Sequence, residues 1–283
     1  MKVYLPGSLD ELWDRCAAHP DAAFFAGGTD IFVKWRAGSR PPECALGLER
    51  IAELQLLYEE ADHLFIGAAV THATLLAAPV IREDFPVLAQ ALRVLGAPAV
   101  RSMGTIGGNL CTASPAGDTL PPLYVLGAQL ELRAPAGVRR MPIDEWMSGP
   151  GRNALGKGEL LYGVRVPKTA AGGMQHFEKV GLRKALAIAV ASLAARLSLS
   201  PDGIIEDARF AWGSVGPVVV TCGEIERAVI GLRLNEKTIR AVAPAAMRAV
   251  SPIDDVRASA EYRRSLAGNL LFRLLEYRTR QAG

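Results

Sequence analysis

The stretch Thr105-Ile106-Gly107-Gly108-Asn109-Leu110-Cys111-Thr112-Ala113-Ser114-Pro115-Ala116-Gly117-Asp118 sets a glycine pair beside four small polar side chains, those of Asn109, Thr112, Ser114 and Asp118. Glycines carry no Cβ, so a bulky anion can approach their backbone closely. Such a density of hydrogen-bonding groups is costly to bury unless every group finds a partner. A ligand rich in phosphate, ribose and ring polar atoms would satisfy them. A polar surface turn beginning at Ser114-Pro115 is the plainer alternative for Ser114 and for Ala116-Gly117.

A second glycine pair lies upstream in Ala26-Gly27-Gly28-Thr29-Asp30. The apolar run 22–26 before it reads as a buried strand, and residues 30–36 after it as a helix capped by Thr29. Strand, glycine turn and helix N-terminus together favour an anion. Neither GxGxxG nor GxxxxGK[ST] occurs, so the common nucleotide fingerprints are absent. Alone, Gly27-Gly28 is an ordinary tight turn; with the second segment it implies a large phosphorylated cofactor.

Length and composition agree. The 283 residues can bury sizeable cores and divide into two or more units. Half of the residues are hydrophobic, yet no run approaches the ~18 apolar residues of a membrane span. The richest stretch, 185–199, is interrupted by Ser192 and Arg196. The first residues show no export signal, so a cytoplasmic protein is expected. A formal charge of +3 with interspersed signs points to neither nucleic acid nor a membrane as partner. Cys16, Cys44, Cys111 and Cys222 are far apart and form no CxxC pair, so no metal or cluster site is expected on this chain. Cys111 reads as small apolar packing beside the ligand, with a reactive thiol as the alternative. His19, His63 and His72 read as helix-end, hairpin and helix N-terminal residues, none a ligand.

Periodicity organises the rest. Ser8 and Glu11 form a capping box ahead of a helical stripe of Leu9, Leu12, Trp13, Cys16 and Ala17. Strands are expected near 44–48, over 54–58 and 64–67 as a hairpin, and at 130–133 and 160–166. Thr71 caps a short helix, Pro86 opens another, and Pro121-Pro122 lie in the first turn of a third. Residues 167–173 read as a linker. Beyond it, 187–199 and 204–212 form an antiparallel hairpin. Thr221 and Asn235 then cap two helices, and Tyr262, Leu266, Leu270, Leu274 and Tyr277 line a terminal one at i+4 spacing. The fold class is α+β, with a small C-terminal unit of antiparallel sheet and helices.

At "AGGTD" (26–30) and "TIGGNLCTASPAGDTLPPL" (105–123) the chain resembles the FAD-binding, or medium, subunit of the molybdenum hydroxylases, the xanthine dehydrogenase and carbon monoxide dehydrogenase family. The resemblance is tight over about residues 20–167 and looser after Gly173. It implies a two-subdomain PCMH-type FAD-binding domain over 1–170 and a C-terminal domain over 174–283. FAD is the implied cofactor, bound noncovalently because Gly28 and Thr29 stand where related flavoproteins place a histidine anchor. Phe24, Phe25, Ala26, Gly27, Gly28, Thr29, Asp30 and Ile31 would wrap the pyrophosphate and one side of the flavin. Thr105, Gly108, Asn109 and Thr112 would supply the second wall, with Cys111 beside them. Asp118 would hold a ribose hydroxyl, Leu161 an apolar contact, and Lys179 a place near the ring system.

The implied function is an electron-transfer subunit without catalytic residues of its own. Electrons would come from two [2Fe-2S] clusters on a small partner subunit, fed by a molybdopterin large subunit, in a dimer of heterotrimers, and leave to an external acceptor. A stand-alone FAD oxidase or reductase binding its own substrate is the alternative, and a nucleotide-binding scaffold a third reading. Two departures from the family pattern stand out. Lys184-Ala185-Leu186-Ala187 after Arg183 lacks the acidic residues of xanthine dehydrogenases, which puts a pyridine-nucleotide site in doubt. Thr29-Asp30 replaces the His-Ser of carbon monoxide dehydrogenases, which argues against close kinship with them. Trp212 and the arginine-rich terminal helix are candidate partner contacts, with core packing the competing explanation for Trp212.

Overall fold

In a computed structural model, which describes residues 1–168, 173–183 and 186–282, the chain opens with a small parallel sheet. Its central strand Cys44–Gly47 is flanked by Lys2–Tyr4 and Ala23–Phe25. The helix Leu9–Ala18 covers it, with Leu12 and Leu46 fully buried together. Ser8 caps that helix by accepting from the Glu11 amide at 3.2 Å, but the Glu11 carboxylate returns to the Gly7 amide, one residue before the capping-box position.

The second unit is a five-stranded antiparallel sheet in the order Leu57–Glu59, His63–Gly67, Leu160–Pro167, Gln129–Ala134, Gly137–Pro142. Residues 54–56 are not part of the expected hairpin strand, because Ala52–Gln55 forms a 3₁₀ turn. The edge strand Gly137–Pro142 escapes sequence patterning because its exposed face is charged; Arg139 pairs with Glu159 and Arg140 with the buried Glu131. Short helices cover one face of this sheet. His72–Ala77 is capped by Thr71, and Pro79–Glu83, Pro86–Val94 and Pro98–Met103 each start on a proline. Ile106–Thr112 and Leu120–Val125 follow.

The C-terminal unit is a four-stranded antiparallel sheet, Met174–Gly181, Ala189–Leu199, Ile205–Gly213 and Val220–Thr221, backed by helices. Asn235 caps Glu236–Ala249 as expected, whereas Gly223–Val229 begins at Cys222 with no side-chain cap, so Thr221 is not its N-cap. The single terminal helix is in fact broken into Ala260–Asn269, a 3₁₀ turn Leu270–Phe272, and Arg273–Ala282. The tighter turn resets the helix face, and Tyr262 is left 51% exposed, off the buried row. Trp212 is fully buried and its indole N–H donates to the Ala267 carbonyl at 2.9 Å, so core packing, not partner contact, accounts for it. Residues 169–172 of the expected linker, and Lys184-Ala185, lie outside the described residues.

Packing runs across the linker. The helix Pro86–Val94 lies on the strand Met174–Gly181, where the Phe177 amide donates to Gln90 at 2.7 Å and the Gln175 side chain donates to the Asp84 carbonyl at 2.9 Å. Phe177, Ala194 and Ala211 are buried in the same apolar cluster as Leu88, Leu120 and Trp146. Among the described residues no helix is long and apolar enough to cross a membrane. Truncating Phe177 to Ala opens a cavity in this shared core, and a loss of about 3–5 kcal/mol is expected. Urea unfolding followed by far-ultraviolet dichroism should shift as one transition; two separated transitions would mean that the units fold independently.

Candidate cofactor site

The first glycine loop leaves the parallel sheet at Phe25 and turns under the segment that precedes the helix Ile106–Thr112. A Cβ on Gly27 would overlap the Met103 carbonyl oxygen, so only glycine permits this approach. Gly28 follows with φ +69°, a conformation that side chains resist. The helix Ile31–Arg36 then begins, but Thr29 does not cap it. Asp30 holds the N-cap position without a cap bond, because its carboxylate is taken by the Thr112 hydroxyl at 3.0 Å and the Lys34 ammonium at 2.7 Å. That bridge ties the two glycine segments across a cleft of about 570 Å³.

The residues expected at the cofactor are brought together with two exceptions. Residues 24–31, with Thr105, Gly108, Asn109, Cys111, Thr112 and Leu161, line the cleft from three distant parts of the chain. Asp118 and Lys179 do not. They lie behind the lining and bond to each other at 2.6 Å, each side chain 8% exposed. Lys179, on the strand Met174–Gly181, also donates to the Val94 carbonyl, so it is a buried paired residue, not a solvated one. Burial pushes the Asp118 carboxyl up to about 6, while the Lys179 ammonium works against the rise.

The two glycine segments offer different surfaces. In the second, the amides of Ile106, Gly107, Gly108 and Asn109 are all used, by Val70, Ala68, the Thr105 hydroxyl and the Thr105 carbonyl at 2.9–3.0 Å. Bare backbone donors there, as the sequence suggests, are therefore not available. In the first, the amides of Gly27, Gly28 and Thr29 donate to no acceptor among the described residues, which leaves three adjacent donors at the cleft wall. What the second segment contributes is room. A Cβ on Gly108 would meet only the Thr105 hydroxyl, at 3.0 Å, and otherwise open cleft. Unpaired donors and a glycine that leaves room in the same cleft fit a phosphorylated cofactor.

Other lining residues carry no local sequence signal. Lys34, His72, Gly104, Gly117, Asn153 and Leu160 reach the cleft through tertiary packing; Asn153, on a two-residue strand, donates to the Cys111 carbonyl at 2.8 Å. Cys111 is partly buried at the cleft, and desolvation pushes its thiol up to about 12, which disfavours the thiolate.

The fold and cleft agree with comparisons to known proteins. Residues 1–169 match the model of the FAD binding domain in molybdopterin dehydrogenase, and residues 176–277 that of the CO dehydrogenase flavoprotein C-terminal domain. The chain belongs to this family: it is an FAD-containing subunit of the xanthine and carbon monoxide dehydrogenase type of molybdenum hydroxylase. The xanthine dehydrogenase FAD-binding subunit of Escherichia coli O157:H7 is 28% identical over 279 residues, covering 98% of this chain and 95% of that one. The carbon monoxide dehydrogenase medium chain of Hydrogenophaga pseudoflava is 29% identical, covering 90% and 88%. The structure of quinoline 2-oxidoreductase from Pseudomonas putida 86 superposes with a TM-score of 0.92 at 28% identity, covering 98% and 95%. The chain is thus similar to both the xanthine and the carbon monoxide dehydrogenase subunits at near-equal identity.

His72 gives the site a pH signature. Burial and then the nearby Arg101 charge pull its imidazole from 6.5 down to about 4. The unfolded chain therefore binds a proton that the native chain refuses between these values, and stability falls as pH drops through that window. The full effect is about 3 kcal/mol. Chemical denaturation at pH 7 and pH 4 should show that much less acid sensitivity in His72→Phe; equal sensitivity in both proteins would refute it.

Proposed function

We propose that this chain is the electron-relay subunit of a heteromeric, cytoplasmic molybdenum hydroxylase, with a domain division between residues 170 and 174. The observation that carries the reading is the cleft itself, which is lined by the three first-loop residues whose amides are unpaired and by Gly108, which leaves room where a side chain would stand. In this reading Gly27, Gly28 and Thr29 donate to the pyrophosphate. Phe24, Phe25, Ala26, Asp30 and Ile31 shape the wall around it. Thr105, Gly108, Asn109, Cys111 and Thr112 form the opposite wall, and Leu161 supplies an apolar contact. Asp118 and Lys179 act from behind the lining, where their ion pair fastens the C-terminal sheet to the loop that follows Thr112.

Bound FAD supplies reversible redox chemistry that can join single-electron donors to an external acceptor. The donors we propose are the [2Fe-2S] clusters of a small partner subunit, supplied in turn by a molybdopterin large subunit, in a dimer of heterotrimers. Similar chains come from proteins named for xanthine, carbon monoxide and quinoline. Substrates so unlike one another, served by one fold at comparable identity, support a shared relay with substrate recognition elsewhere.

Gly108→Val should remove FAD binding, since its branched carbons would fill the open side of the cleft, while the thermal unfolding midpoint of the FAD-free chain stays within a few degrees of wild type. Full FAD content in the variant, read from the visible spectrum, would overturn the assignment of that wall. The relay itself is tested by anaerobic addition of heteroaromatic and aldehyde substrates. Flavin bleaching is expected only after co-expression with the cluster and molybdopterin subunits, and bleaching of the isolated chain would sink the proposal.

A further inference from the structure

His72 lines the cleft as the first residue of the helix His72–Ala77, and neither the sequence motifs nor the residues assigned above give it a role. Its ring sits where the two glycine segments meet. The His72 Cδ2 and the Thr29 hydroxyl are each 3.2 Å from the point that a Gly104 side chain would occupy. The His72 backbone N–H donates to the Gly104 carbonyl at 2.9 Å, which holds the residue against the second segment.

The ring nitrogens are not equivalent. The residue is 3% exposed, and its Nδ1 is buried with no hydrogen-bond partner, a condition that Nε2 does not share. A buried N–H without an acceptor is more costly and rarer in folded proteins than a buried lone pair without a donor. A neutral imidazole has one N–H and one lone pair. The lone pair therefore belongs on Nδ1 and the proton on Nε2. The charged form, with N–H groups on both sides, is disfavoured by the same burial, and the imidazole stays neutral at pH 7.

We infer that His72 donates a hydrogen bond from Nε2–H to a pyrophosphate oxygen of FAD in the cleft, extending the row of donors begun by the amides of Gly27, Gly28 and Thr29. The inference rests on the reading of the cleft as the FAD site. Phosphate oxygens are acceptors without protons at neutral pH, so they suit a row of N–H donors. The position beside Thr29, whose amide is one of the three left unpaired, selects the pyrophosphate over the flavin ring.

Titration of FAD and of ADP into the FAD-free full-length chain tests this, with wild type, His72→Phe and His72→Gln compared by calorimetry. His72→Phe should weaken both ligands about ten-fold, the size of one hydrogen bond to a charged group. His72→Gln, whose amide retains a donor, should stay within about three-fold of wild type. Nitrogen-15 spectra of the wild-type histidines should show the Nε2–H tautomer and a shift of that nitrogen when ADP is added, a readout that stands even if His72→Phe fails to fold. ADP binding to His72→Phe as tight as to wild type, or an Nδ1–H tautomer, would overturn the inference and leave the cofactor site standing. Failure of wild type to bind FAD would instead remove the cofactor reading itself.

Discussion

The Met103 carbonyl occupies the place where a side chain of residue 27 would begin, and the arrangement of the cleft depends on that contact. Two segments separated by nearly eighty positions can touch backbone to backbone only because Gly27 has no Cβ. Once they touch, Gly28 turns the chain with a positive φ, the Thr112 hydroxyl donates to the carboxylate of Asp30, and the first-loop residues with unpaired amides share one cleft with Gly108. The parallel sheet delivers one segment and the helices over the antiparallel sheet deliver the other. Neither half alone makes a wall for a nucleotide.

Division of labour between the loops follows from where their hydrogen bonds go. Ile106–Thr112 is a helix whose first amides are satisfied by Thr105, Ala68 and Val70, so it is rigid and electrically quiet toward the cleft. The first loop keeps its donors unspent in solvent, a state tolerable at a cleft and costly in a core. Charge recognition and shape recognition are thus assigned to different pieces of chain.

Much of this was legible in the residues. Both glycine pairs, the Thr71 and Asn235 caps, the helix opened by Pro86 and the long hairpin of the C-terminal sheet carry local signals that the fold obeys, because each depends on neighbours within a few positions. The helix Pro98–Met103 and the strands Gly137–Pro142 and Arg152–Asn153 were not, since their short or charged sequences are held in place by partners far along the chain. In the site, the glycine-rich lining could be read from motifs, whereas His72, Lys34 and Asn153 arrive by tertiary packing. The ion pair of Asp118 with Lys179 shows the limit of residue-by-residue reading. Each side chain could be singled out, but their turning toward one another depends on the strand Met174–Gly181 lying against the helix Pro86–Val94.

That helix-on-strand contact also decides what a shortened chain would lose. With Phe177 and Ala211 sunk into the same core as Leu88 and Leu120, the C-terminal sheet is masonry behind the cleft and cannot swing aside as a door. The cleft is therefore backed by a fixed body, and truncation ahead of Met174 would strip that backing. Such a chain would expose Leu88 and Leu120 and leave the Asp118 carboxylate without Lys179, so a loss in the last third of the sequence is felt next to the cofactor cleft.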